Sequence, residues 1–142
     1  MVNYRELREA EHIYNVTLKN NRSLETFKSF LNAIVNFYDK VITDYLESLV
    51  QSGEIEEVPK VPLKRIELFE KYIPESVLKE HIDLYKTLRR CLISKSVVIN
   101  EHRRNIEVVF QVYSREVRFN LKDLRDILEK AKEFENVMKN YL

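Results

Sequence analysis

"LETFKSFLNAIVNFYDKVITDYLESL", residues Leu24–Leu49, carries one apolar stripe from end to end. Leu24, Phe27, Phe30, Leu31, Ile34, Phe37, Tyr38, Val41, Ile42, Tyr45, Leu46 and Leu49 recur every three or four residues, the spacing of one face of an α-helix. Ser23 precedes the stripe as a cap that accepts from free N–H groups, and Gly53 follows it as a left-handed terminator. At about 1.5 Å per residue the helix runs roughly 40 Å, longer than a chain of this size usually hides. One expectation is that part of the stripe buries against a second copy, giving a homodimer. The alternative is a central bundle helix covered wholly by its own chain.

Outward from this helix the same period continues. Tyr4, Leu7, Ala10, Tyr14 and Leu18 predict a helix over Val2 to Lys19, broken at Asn20-Asn21-Arg22. Downstream, Glu54 to Pro62 reads as an acidic linker bounded by proline, too short to separate domains. Leu63 to Tyr72 predicts a short amphipathic helix. Pro74 suits the first turn of the next one, whose buried face would hold Leu78, Ile82, Tyr85, Leu88 and Leu92 and continue to about Ile93. Then the period changes. Ile106, Val108, Phe110 and Val112 alternate, "YSRE" supplies a polar turn, and Val117 and Phe119 resume, which predicts a β-hairpin of about 105–112 and 115–120. Asn120 with Asp123 resembles a capping box. The final helix would bury Leu121, Leu124, Ile127, Leu128, Ala131, Phe134, Val137, Met138 and Tyr141.

The expected fold is therefore mainly α: an antiparallel four- to five-helix bundle with a small β-hairpin before the C-terminal helix, in one domain spanning 1–142. Composition agrees. Of 142 residues 44% are hydrophobic, with one Gly and three Pro, enough for a real core and few breaks. No internal repeat or low-complexity run is visible. The single cysteine, Cys91, has no partner for a disulfide and no Cys or His at metal-ligand spacing. No apolar run approaches the roughly 20 residues of a membrane span. These features predict a soluble, unprocessed, cytoplasmic protein that uses no metal and no cofactor and does not meet a membrane.

Several chemistries lack their residues. One glycine cannot build a phosphate-binding loop, and HExxH, CxxC and GxSxG are absent. The three histidines, His12, His81 and His102, lie far apart in sequence. Charge is more informative. The chain totals +1, yet residues 86–125 hold ten basic and four acidic side chains. Within this segment Arg89, Arg90, Lys95, His102, Arg103, Arg104, Arg115 and Arg118 are the candidate nucleic-acid-binding residues. Arg forks match phosphate oxygens, and Tyr85 or Tyr113 would stack on a base. Arg89, Arg90 and Lys95 also have a local role if they close a helix, because cations oppose its dipole. The arginines of the hairpin have a competing role in a ladder with Glu101, Glu107 and Glu116.

The order of elements resembles the HEPN superfamily of small helical proteins, especially archaeal members with a hairpin before the last helix. Two long helices, "PLKRIELFEKYI" (Pro62–Ile73), the helix with "LYKTLRR" (Leu84–Arg90) and the closing "LKDLRDILEKAKEFENVM" (Leu121–Met138) carry the likeness, which spans roughly Glu9 to Tyr141. It implies an up-and-down bundle that dimerises and works in RNA cleavage or beside a nucleotidyltransferase-type partner. The ribonucleases of that family use an Arg, commonly followed by a polar residue, with four to six residues between it and a His, so that Arg steadies phosphate while His moves protons.

That motif is not matched here. After Arg89 or Arg90 come Ile93, Ser94, Lys95 and Ser96. Arg104-Asn105 begins correctly, but the positions for His hold Val109, Phe110 and Gln111, so "RNIEVVF" reads as the first strand of the hairpin. Arg5 and His12 satisfy the spacing in the first helix, where the family does not place its site. His102 and Arg104 remain the catalytic candidates. Three functions follow as expectations. The leading one is a noncatalytic, dimeric protein that binds RNA or a nucleotide-related partner through a basic Arg89 to Arg118 surface. The second is a metal-independent, toxin-like ribonuclease with a composite site at the dimer interface. The third is a protein-binding module that presents its long aromatic-rich helix.

Overall fold

The structure, a computed structural model, describes residues 3–73 and 76–142, the side chain of Val77 excepted. The expected roles of Val2 and Pro74 fall outside these residues. Among the described residues the chain forms five helical stretches and one three-stranded antiparallel sheet placed before the last helix.

The first stretch is α1 (Arg5–His12), a π-helical turn (Ile13–Thr17) and the short α2 (Leu18–Asn20). Leu18 donates its N–H to the Ile13 carbonyl, five residues back. The wider turn brings both Ile13 and Leu18 to the core and leaves Tyr14 half-buried, so the buried face differs from the simple helical one expected.

Helix α3 (Leu24–Gln51) is the axis of the molecule. Ser23 Oγ accepts from the Thr26 N–H at 3.1 Å. At the other end Gly53 donates to the Val50 carbonyl and Glu54 to the Leu49 carbonyl, the two bonds of a Schellman cap, with Gly53 at φ +81°. Helix α3 packs against α1, α4 (Pro62–Tyr72), α5 (Ser76–Leu92) and α6 (Leu121–Met138). Its stripe is buried from Phe27 through Leu46, and Leu24 and Leu49 are partly covered. The chain itself covers the long helix, so the length of α3 does not call for a second copy. The face of α3 left exposed holds polar residues such as Asn32, Asn36, Lys40 and Glu47, not the aromatic stripe.

Helix α5 ends at Leu92, within a residue of the expected end. The Ser94 N–H bonds the Cys91 carbonyl and the Ser94 hydroxyl the Arg90 carbonyl, turning the chain so that Ile93 stands 88% exposed instead of joining the buried face. The turn leads into β1 (Lys95–Ile99), a strand absent from the sequence reading. Next come β2 (Glu107–Val112) and β3 (Arg115–Asn120), the expected hairpin, closed by Tyr113-Ser114 with Tyr113 at φ +56°. The strand order is β1-β2-β3. Ile106, Val108, Phe110, Val112 and Phe119 are buried in the core, with α5 against β2 and α6 against β3. The capping box opens α6 as expected: Asn120 Oδ1 accepts from the Asp123 N–H at 2.9 Å, and Asp123 Oδ2 from the Asn120 N–H at 2.8 Å.

Candidate nucleic-acid-binding surface

The eight candidate residues are divided by the sheet. Strand β2 advances five residues from Glu107 to Val112, so its ends lie about 17 Å apart. Arg90, Lys95 and Arg115 belong to one end, at the hairpin tip. His102, Arg103 and Arg104 belong to the other, in the loop between β1 and β2. Arg89 and Arg118 are engaged elsewhere.

Arg89 folds back onto α3. Its guanidinium lies 3.4 Å from Asp39 Oδ2 and stacks over the Tyr85 ring at 5.7 Å. Tyr85 donates its hydroxyl to Asp39, and Arg65 of α4 approaches the same carboxylate at 3.8 Å while holding the carbonyls of Pro59 and Lys60. Burial, then the bond to Asp39, pushes the Tyr85 hydroxyl well above its ordinary pKa. Tyr85 is 1% exposed, so stacking on a base is closed to it. This network ties α3, α4, α5 and the acidic linker together. Asp39 and Arg65 had no visible role in the sequence, because neither breaks its helix's period.

Arg118 is the rung of a ladder, 2.6 Å from Glu107 and 3.4 Å from Glu116. The competing role weighed for the hairpin arginines holds for this one. Its neighbours differ. Arg90 lies over the Tyr113 ring at 5.7 Å, and Tyr113 is 82% exposed. Lys95 does not close α5 but opens β1, opposite Gln111. Arg90, Lys95 and Arg115 take part in no ion pair among the described residues.

The other end is built by a long-range contact. The His102 N–H donates to the Arg22 carbonyl at 2.7 Å, and Glu101 Oε2 accepts from the Leu24 N–H at 3.0 Å. Glu101 thus supplies an acceptor and a negative charge to the first turn of α3, a favourable place for both. The loop needs left-handed backbone at Asn100, φ +56°, and His102, φ +72°. The loop that carries His102, Arg103 and Arg104, all exposed, is in this way joined to Arg22, with exposed Lys19 three residues before it in the chain. The four Lys and Arg side chains of this corner take part in no ion pair among the described residues, and Arg22 Nε is buried without a hydrogen-bond partner. Lys19 and Arg22 were missed because nothing local marks residues about eighty positions away as neighbours.

"RNIEVVF" is a strand, as read: Arg104 and Asn105 belong to the loop, Ile106 is buried and Glu107–Phe110 lie in β2. It is the second strand, not the first. The histidines stay apart. His12 is exposed at the end of α1, His102 is exposed in the loop, and His81 is buried with Nδ1 3.2 Å from the Tyr38 hydroxyl. Burial pulls the His81 pKa down, opposed by Glu133. The Cys91 thiol is buried and pushed up to about 11 by that burial, which leaves it unreactive near neutrality. Among the described residues no His, Cys, Asp and Glu cluster is arranged to hold a metal, and no helix is long and apolar enough to cross a membrane.

Compared with known protein families, with curated proteins and with solved structures, the chain matches none.

Proposed function

We propose that this is a noncatalytic, HEPN-like helical protein that binds single-stranded RNA, and that the main contact is the corner formed by Lys19, Arg22, His102, Arg103 and Arg104. The observation that carries the proposal is the junction of residues 19–22 with the 102–104 loop. One backbone bond, His102 to Arg22, joins the segment of Lys19 and Arg22 to the loop of Arg103 and Arg104, four cations that take part in no ion pair among the described residues. Unpaired Arg and Lys groups on a fixed loop suit phosphate, which they meet without first breaking an ion pair. The tip, with Arg90, Arg115 and exposed Tyr113, offers a second contact where a base would stack on the ring. A phosphate contact by Arg89 or Arg118 would have to displace Asp39 or Glu107, so the surface is narrower than the Arg89 to Arg118 segment.

His102 beside Arg103 and Arg104 favours a second reading, the metal-independent ribonuclease. One experiment separates the two. Labelled single-stranded RNA is titrated with protein across a salt series, and its length is followed on a denaturing gel. Salt-sensitive binding of intact RNA is the expected result. Shortening that a His102→Ala variant abolishes would move the ribonuclease ahead, and no binding at low salt would overturn both.

A further inference from the structure

The two edges of the sheet are finished differently. Strand β3 presents Arg115, Glu116 and Arg118 along its length. Strand β1 presents Lys95, Val97 and Ile99 on the outer face, with Val97 59% and Ile99 41% exposed, and Ile93 stands 88% exposed just before it. Only β2 lies beside β1, and among the described residues its backbone bonds no other segment. An open edge with exposed β-branched residues is a template for another strand, and charges such as those on β3 are the usual protection against it.

We infer that β1 pairs antiparallel with β1 of a second copy, about a twofold axis through Val97, and that this pairing completes the RNA surface; the second half of the inference rests on the function proposed above. The sequence of the strand is self-complementary in that register. Val97 meets the partner's Val97, Ser96 meets the partner's Val98, and Lys95 meets the partner's Ile99, so no like charges face each other. Parallel pairing would instead set Lys95 against the partner's Lys95.

The consequence for charge is geometric. Strand β1 begins at the tip end of the sheet and finishes at the loop end. Antiparallel pairing therefore sets the Lys95 end of one copy's β1 beside the partner's loop, while Arg115, on β3, stays about three strand spacings or 14 Å from the partner's β1. Lys95, which one copy keeps about 14 Å from its own loop along β1, becomes a neighbour of the partner's loop, and the same pairing occurs a second time across the axis. The mutual repulsion of these basic groups opposes the pairing until a polyanion lies across them. A five-residue strand pair is also smaller than the roughly 1,600 Å² of a standard stable interface, which makes the free protein a weak dimer that RNA tightens.

The test uses the full chain. Val97→Cys puts a thiol on the axis, where paired Cα atoms stand about 4.5–5.5 Å apart, within disulfide reach. Mild oxidation of this variant is expected to give a covalent dimer, in higher yield when single-stranded RNA is present, while a Ser114→Cys variant at the tip gives none. Light scattering should show the wild-type mass rising from one chain toward two when RNA is added, and Val97→Glu should weaken that association at least tenfold while leaving the melting temperature unchanged. A wild-type complex of one chain per RNA, or a Val97→Cys variant that links no better than Ser114→Cys, would overturn the inference and leave RNA binding intact. Cross-linking through Val97→Cys with no RNA bound at low salt would uphold the strand pairing and overturn the proposed function instead.

Discussion

Helix α3 and strand β1 both carry a row of apolar side chains, yet the two rows meet opposite fates. Every stripe residue of α3 from Phe27 to Leu46 is buried by surrounding helices, whereas Val97 and Ile99 of β1 remain open. A helix satisfies its own backbone, so only its side chains seek partners, and in this chain other helices supply them. An edge strand is incomplete in backbone and side chain together. The helical half is thus where stability is concentrated, and the sheet, with the loop and tip at its two ends, is where the proposed recognition would take place.

The largest effect that would break this comparison is in the helical half. Phe134 touches Phe37, Tyr38, Phe69 and His81, so Phe134→Ala should cost about 3–5 kcal/mol in urea unfolding. An equal loss from Val97→Ala on the sheet edge would contradict the division. Next comes the end of α3. Gly53→Ala should cost about 1 kcal/mol by the same measurement, because Gly53 sits at φ +81° although open space surrounds it.

A smaller effect is set by pH. The folded protein holds His81 below its ordinary value of 6.5, so between the two pKa values the unfolded chain binds the extra proton. The contribution of neutral His81 is complete above about pH 6.5 and is lost as pH falls toward the folded value. Thermal melts should show a stability drop from pH 7 to pH 5 that shrinks in His81→Gln, and an undiminished drop would assign it to other groups. The smallest effect belongs to the ladder. Arg118→Ala should leave both the melting temperature and RNA affinity unchanged, since Glu107 and Glu116 already occupy this exposed side chain. A loss of binding comparable to that of Arg103→Ala would return Arg118 to the contact surface.

The helices and their caps could be read because their signals are local. Ser23, Gly53 and the Asn120–Asp123 box act within a few residues, and the apolar spacing of α3 states its own burial. Strand β1 could not be recognised: in "KSVVI" Ser96 and Val98 are only half-buried and both outer neighbours of the central valine are a lysine and an isoleucine, so no apolar alternation appears. Ile93 leaves the buried face for a related reason, since it continues the helical period while the Ser94 bonds turn the chain away. The candidate site was legible as a list of cations and illegible as a surface. Asp39 and Glu107 remove Arg89 and Arg118 from that list through pairings 50 and 11 residues away in sequence, and Arg22 joins it through a backbone bond across eighty.

Arg22 therefore offers the most direct test of the account, because it lies outside the basic segment and belongs to the corner only in three dimensions. The measurement is the salt dependence of single-stranded RNA binding, by fluorescence anisotropy, for the wild type, Arg22→Ala and Arg103→Ala. The account predicts that each substitution weakens binding and lowers the slope of log affinity against log salt by about 0.7, the signature of one lost phosphate contact on a single strand. An Arg22→Ala variant that binds with wild-type affinity and slope would contradict it.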